Sequence, residues 1–307
     1  MNYAIAIPTY NAGALFREVL QAIDEQELKP VQLLLIDSGS VDDTLKIAEA
    51  HNAQIVKINN RDFDHGGTRN KCVALLKNEV THVVFLTQDA VLANKQSIAM
   101  LLKAFDDPKV AVAYGRQLPA KNASKIAEHS RLFNYPAQSK YENIKNYADK
   151  PSIKTIFSSN SFAAYDRRLF NTLGQFNAPS IMSEDLLFAA NAILAGYSVC
   201  YQADATVFHS HNYTLKQHFS RYFDTGYSHF INRKLLSNFK AAENEGYKYI
   251  VSEFKFLFLS GHMISALFYL PLLTCARYLA FKAGYYANYW PKKMNICLSM
   301  NKRFWEK

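Results

Sequence analysis

Apolar and polar positions alternate in two rhythms along the first two thirds of the chain. Short apolar runs at Tyr3 to Ile7, Val31 to Ile36, Gln54 to Ile58, Thr81 to Leu86 and Val110 to Ala113 predict strands. Between them, apolar residues spaced three and four apart predict helices over Ala14 to Asp24, Asp42 to Ala50, Thr68 to Leu76 and Gln96 to Ala104. Such alternation implies an α/β domain built on a doubly wound parallel sheet, whose ligands bind beyond the carboxyl ends of the strands. From Ala120 to Lys154 the pattern loosens into a polar, tyrosine-rich stretch that reads as an acceptor-side insertion. A strand of small residues then follows at Ile156 to Tyr165, a capped helix at Ser183 to Ala195, and strands near Ser198 to Gln202 and Thr206 to Phe208.

After Asn212 the rhythm changes. Leu215 to Phe230 reads as a basic amphipathic helix, and Phe256 to Ala276 runs 21 residues without Asp, Glu, Lys or Arg. That run is long enough to span a bilayer, but it contains Ser260, Gly261, His262, Ser265 and Pro271 and is flanked by Lys255, Arg277 and Lys282. Helices lying on or dipping into a membrane face fit this pattern best; a buried helical pair and a true span are the alternatives. Charge strengthens the division. Of 35 Lys+Arg and 26 Asp+Glu, 21 of each lie at or before Asn212, so the whole net charge of +9 belongs to the last third.

These cations are diluted among apolar runs instead of being clustered on a polar face, which excludes a nucleic-acid-tracking surface and favours anionic lipid. The expected organisation is therefore a catalytic domain over 1–212 and a membrane-associating helical region over 213–307. Cys72, Cys200, Cys275 and Cys297 lack paired metal-ligand spacing, and the first strand starts within two residues of Met1. A reducing cytoplasm without a targeting peptide is the expectation.

Candidate chemistry gathers at predicted strand ends. The run THVVFLTQDA stops on Asp89, where a carboxylate can hold a divalent cation against a diphosphate or simply cap a helix. Asp37 ends the second strand in IDSGSVDDT, placed to accept from a pyrimidine or ribose, or to shape its turn. In DHGGTRN, Gly66 and Gly67 let backbone approach a ligand, the following helix start favours anions, and Arg69 offers a forked donor. Arg69 could equally lock Asp64 or Asp89 in an ion pair. Glu184 and Asp185 open a helix, as dipole-stabilised caps or as a general base with its support. His209 and His211 are two apart, so on an extended strand only one can face the site; His209 is the expected ligand to the cation of Asp89. The first turn, Pro8 to Asn11, carries no glycine-rich fingerprint, which argues against a dinucleotide-binding protein, and no Arg/Lys-bearing glycine loop of a nucleotidyltransferase.

The order PTYN, IDSGSVDDT, HGGTRN, FLTQDA, SNSF, SEDLLFA and VFHSHNY resembles the family 2 glycosyltransferases of GT-A fold, over Tyr3 to about Phe230. The DHGGTRN and TQDA forms are most similar to bacterial rhamnosyltransferases of O-antigen and cell-wall polysaccharide synthesis. The resemblance implies that Pro8, Thr9, Tyr10 and Asn11 line the nucleotide, Asp37 reads its base, and Gly67 and Arg69 lie by the diphosphate. It further implies that Gln88 and Asp89 stand where the family has its DxD, with Asp89 and His209 on Mg2+ or Mn2+, Asp185 as catalytic base and Glu184 in support. One carboxylate in place of two is a departure from the family pattern. The implied reaction is inverting transfer of L-rhamnose from dTDP-L-rhamnose to a polyprenyl-linked saccharide, at the cytoplasmic face of the inner membrane. A UDP-hexose donor and a non-catalytic membrane scaffold are the alternatives.

Overall fold

A computed structural model describes residues 1–239 and 243–306. The elements in chain order are β1 (Tyr3–Thr9), α1 (Leu15–Asp24), β2 (Gln32–Asp37), α2 (Thr44–Ala50), β3 (Gln54–Lys57), α3 (His65–Ala74), β4 (His82–Leu86) and β5 (Val91–Leu92). Next come α4 (Ser97–Leu102), β6 (Val110–Leu118), α5 (Lys125–Asn134), β7 (Lys140–Glu142), α6 (Ile144–Asp149), β8 (Phe162–Asp166), α7 (Arg167–Thr172), α8 (Glu184–Leu194) and β9 (Ser198–Phe208). The C-terminal region adds α9 (Leu215–Ile231), α10 (Arg233–Leu236), α11 (Glu243–Leu259), α12 (Leu270–Tyr285), α13 (Lys292–Leu298) and α14 (Lys302–Glu306).

The sheet runs β3-β2-β1-β4-β8-β6-β9-β5, with β7 also on β9. Its β3-β2-β1-β4 half is parallel, as the alternation predicts. The wholly parallel sheet expected from sequence is corrected beyond that: β8 lies antiparallel to both β4 and β6. Periodicity reports which residues are apolar but carries no strand direction, so this reversal was invisible. Residues 153–156 of the segment leading into the expected strand at Ile156 to Tyr165 form a 3-10 turn, and the two strands expected after Ser198 are one, β9, with a register shift against Gly115/Arg116.

Helices cover both faces, with Val83 and Phe85 in one buried cluster and Val84 and Leu86 in the other. On the first face Phe188 of α8 stacks on Phe170 at 5.2 Å and meets Tyr165 edge-on at 5.2 Å. Aromatic pairs of this kind add about 0.5–1.5 kcal/mol beyond burial. They anchor α8 one turn past Glu184 and so fix where its first carboxylates project.

The long apolar run of the C-terminal third does not form one straight helix. Gly261 adopts φ +79° after α11, and the turn 265–269 is π-helical immediately before Pro271. Proline lacks an N–H and its ring crowds the carbonyl four residues back, so the helix widens there. No helix among the described residues is long and apolar enough to cross a membrane. α12 lies against α9 at a crossing where a Cβ on Gly226 would stand 2.0 Å from the Phe281 carbonyl oxygen and one on Gly284 1.9 Å from that of Phe223. Only glycines permit that approach.

Candidate active site

Two carboxylate centres form beyond the sheet's carboxyl edge. The first is Asp89 with both histidines. His209 Nε2 lies 3.3 Å from Asp89 Oδ1, and His211 Nδ1 lies 3.7 Å from Asp89 Oδ2. The expectation that only one histidine faces the site is corrected: β9 ends at Phe208, so the two-residue alternation of a strand no longer governs the positions after it. One ligand atom from each of Asp89, His209 and His211 falls within 4.8 Å of the others.

The proton on His209 can be assigned from its neighbours. Arg131 Nη1 donates to Gln117 Oε1, and arginine can only donate, so that oxygen is fixed as an acceptor. It lies 2.9 Å from His209 Nδ1, which must therefore carry a hydrogen. Nε2 then faces the Asp89 carboxylate, an arrangement that is repulsive unless a proton or a metal cation lies between them. Burial opposes ionisation of Asp89, yet the hydrogen bond and charge of His209 and the charge of His211 hold its carboxyl far below the usual range. A carboxylate with a lowered pKa and two imidazoles within reach of one point fit a divalent cation.

The second centre is the Glu184–Asp185 pair. Glu184 is buried against Arg69 Nη1 at 3.1 Å and accepts from Asn160 Nδ2 at 2.9 Å. Asp185 is half-buried, accepting from Asn160 N at 3.0 Å and Leu186 N at 2.8 Å. Burial and the neighbouring Glu184 charge raise the Asp185 pKa to about 6. Burial acts upward on Glu184 as well, but there the Arg69 charge outweighs it and the carboxyl stays low. The helix is not capped by Ser183 as expected. Ser183 adopts φ +68° without a side-chain cap bond, and Asp185 itself takes the Leu186 amide. A non-glycine residue held left-handed beside reactive groups is a common form of stored strain.

The two centres meet through adjacent residues. Ser159 Oγ accepts from Gln117 Nε2, behind His209, and Asn160 holds both Glu184 and Asp185. Tyr165 OH in turn donates to Asn160 Oδ1 at 2.7 Å. Thr87, two residues before Asp89, donates its amide to Ser161 O. Gln117, Arg131 and Asn160 were not singled out from sequence as functional. Only the small residues around SNSF hinted that this segment packs tightly beneath a ligand.

Other expected residues find different partners. Asp37 is fully buried, and its carboxylate accepts from Gly39 N, Ser40 N, Ser40 Oγ and Thr9 Oγ1. Those four bonds occupy its acceptor sites and shape the turn. Gly67 N donates to Asp64 Oδ1, and Gly66 packs where a Cβ would be 2.1 Å from Asn177 O. The loop thus packs closely on its own chain. Arg69 pairs through Nη1 with the buried Glu184.

Tyr10 keeps an open face, 39% exposed, in the turn with Pro8, Thr9 and Asn11. Gln88 Oε1 accepts from Tyr10 N at 2.8 Å while its Nε2 donates to Tyr10 O at 3.1 Å. A carboxylate at position 88 could make only the first of these bonds, so the amide braces the turn beside Asp89. From the other side Asn11 N donates to Ser40 Oγ and Asn11 Oδ1 accepts from Val41 N. The C-terminus also reaches this edge: Asp224 accepts from the amides of Met300 and Asn301, and the Arg303 guanidinium lies 5.2 Å over the Tyr10 ring.

Similarity to known proteins is found in both sequence and fold. The sequence model of the family described as "Glycosyl transferase family 2" matches residues 4–174. The chain is 44% identical to the O-antigen chain rhamnosyltransferase RfbN of Salmonella typhimurium, covering 99% of this chain and 96% of that protein. It is 42% identical to the O-antigen chain rhamnosyltransferase WbaN of Salmonella anatum, with the same coverage of each. Among solved structures it is similar to the mannosyltransferase PcManGT from Pyrobaculum calidifontis in complex with GDP-Man and Mn2+, with TM-score 0.58, 17% identity, and 99% of this chain and 82% of that one covered. It is also similar to S. aureus TarS 1-349 in complex with UDP-GlcNAc, with TM-score 0.55, 16% identity, and coverage of 93% and 89%. These two likenesses give the fold, a GT-A-like domain with a mixed sheet.

Proposed function

The chain belongs to glycosyl transferase family 2, and from that premise we propose that it is an inverting rhamnosyltransferase of O-antigen synthesis. In this reading L-rhamnose passes from dTDP-L-rhamnose to a saccharide carried on a polyprenyl diphosphate. The observation that carries the chemistry is the joining of a cation cluster to a carboxylate of raised pKa through Ser159 and Asn160. The choice of sugar is supported by identity to two rhamnosyltransferases along nearly the whole chain.

Asp185 takes the proton from the acceptor hydroxyl while the new bond to the anomeric carbon forms and the bond to the diphosphate oxygen breaks. The configuration inverts, because base and leaving group lie on opposite faces of the sugar. The Glu184 carboxylate, held ionised by Arg69, raises the basicity of Asp185 by its charge and holds Asn160 in place. Asp89, His209 and His211 would hold the divalent cation, which supplies charge stabilisation for the departing diphosphate. Two imidazoles beside one carboxylate favour Mn2+ over Mg2+, which prefers an all-oxygen shell. Tyr10, on a turn braced by Gln88, lines the nucleotide.

The division into a catalytic domain over 1–212 and a helical region over 213–307 that docks on the cytoplasmic face of the inner membrane is part of the same reading. Leu259, Ile264 and Phe268, exposed at 83%, 78% and 73%, crowd the turn between α11 and α12, and exposed apolar clusters of this kind mark interaction surfaces. High salt or detergent is expected to release the protein from membranes.

A donor panel tests the proposal. Purified protein with Mn2+ or Mg2+ is titrated with dTDP-L-rhamnose, UDP-glucose, UDP-galactose and GDP-mannose, following binding and slow donor hydrolysis. Selective use of dTDP-L-rhamnose supports it. Preference for a UDP-sugar discards the sugar, and silence with every donor favours a scaffold.

A further inference from the structure

Beyond His211 lies a polar pocket of about 100 Å³, whose walls include Ser124, Arg131, His211, His218, Arg221 and Arg277. Among the described residues, no acidic side chain lines it. Arg277 is neutralised by Glu253 at 2.9 Å, but among the described residues neither Arg131 nor Arg221 has a carboxylate partner. Arg131 spends one nitrogen on Gln117, and its buried Nε is without a hydrogen-bond partner. The first turn of the ten-residue helix α5 forms part of the same wall and adds its positive end. Burial, together with the charges of Arg277 and Arg221, pushes the His218 pKa down to about 4. An anion is the ligand that such an uncompensated field attracts.

The pocket shares Tyr222, Tyr249 and Arg277 with a much larger groove of about 1570 Å³ between α9, α11 and α12. Phe254, Leu270 and Phe281 are among its apolar walls, and its volume exceeds the roughly 300–1,000 Å³ usual for small-molecule sites. Lys255 and Lys282 also line it. A cationic chamber beside His211 that shares wall residues with a long apolar trough matches a single molecule with an anionic head and a hydrocarbon chain.

We infer that the chamber and the groove form one site for a prenyl-type lipid diphosphate, with the diphosphate between Arg131 and Arg221 and the chain along α9, α11 and α12. The inference rests on the proposed lipid-linked acceptor and deepens it. With the head group beside His211, a sugar attached to that diphosphate would extend toward the cation cluster and Asp185.

Farnesyl diphosphate is the probe, measured by calorimetry on the full-length protein, with inorganic pyrophosphate, farnesol and dTDP plus Mn2+ in parallel. The wild type is expected to bind farnesyl diphosphate at least about tenfold more tightly than either pyrophosphate or farnesol. Arg221→Gln should weaken that binding about tenfold, and Arg221→Lys should restore part of it. Thr274→Trp, which fills the groove, should weaken farnesyl diphosphate but not pyrophosphate. Equal affinity for farnesyl diphosphate and pyrophosphate would overturn the groove's role. A parallel loss of dTDP binding in Arg221→Gln would hand the chamber to the donor and overturn the inference. Complete displacement of the probe by phosphatidylglycerol vesicles, insensitive to Arg221→Gln, would also overturn it by making the face a bulk lipid contact. Because the readout is binding of the probe to the chamber and groove, it stands apart from the donor panel, whose outcomes bear on the donor sugar and on catalysis.

Discussion

Asp89 and Asp185 are both partly buried aspartates at the carboxyl edge of one sheet, and their surroundings drive them in opposite directions. Two histidines face Asp89 and hold it ionised, whereas Asp185 has burial and a second carboxylate beside it and titrates near about 6. The difference teaches that partners assign the role. A carboxylate whose pKa is held low is suited to a cation, and one that takes a proton near neutrality is suited to general-base work.

The comparison breaks most completely at Asp185. Asp185→Asn should reduce rhamnosyl transfer by about 10²–10⁴-fold while dTDP binding stays near wild type, as single-turnover rates and calorimetry would report. Retained turnover would remove Asp185 from the base role. Next in size is Arg69→Met, which leaves Glu184 buried without its cation. Loss of one partner from such a pair costs about 3–5 kcal/mol, readable in denaturant unfolding. The sign follows from the lowered Glu184 pKa: the pair's contribution is present above the unfolded carboxyl pKa and is lost as pH falls through the folded one. An unfolding midpoint unchanged from wild type would show that the pair contributes nothing to stability.

Two smaller effects sharpen the contrast. The transfer rate should fall about tenfold per pH unit below about 6, because Asp185 must be ionised to accept a proton. A rate flat from about pH 5 to about pH 8 would be inconsistent with that base. Gln117→Leu removes the acceptor that fixes the His209 proton on Nδ1, and Mn2+ affinity should drop about 10–100-fold with the fold intact. Unaltered Mn2+ affinity would detach His209 from the cation.

Much of this was legible beforehand where the signal is local. The β1 to β4 strands, the helices between them and the end of β2 at Asp37 follow from burial periodicity and from turn residues a few positions apart. Asp89, His209, Glu184 and Asp185 were marked because charged or imidazole groups at the ends of apolar segments stand out against their neighbours. The contacts that could not be read beforehand depend on partners far along the chain. Arg69 meets Glu184 across 115 positions, and Gln117 reaches His209 across 92, separations at which no periodicity operates.

The sequence by itself determined the α/β class, the acidic and imidazole groups available for chemistry, and the basic, apolar character of the last third. Tertiary structure alone decided that β8 runs backward, that both histidines converge on Asp89, that Arg69 pairs with Glu184, and that Ser159 and Asn160 together link the two centres. The physical reason is range. Backbone propensity and hydrophobic spacing act over a few residues, while hydrogen-bond satisfaction and charge pairing in a buried site are settled only when distant segments compete for the same donors and acceptors.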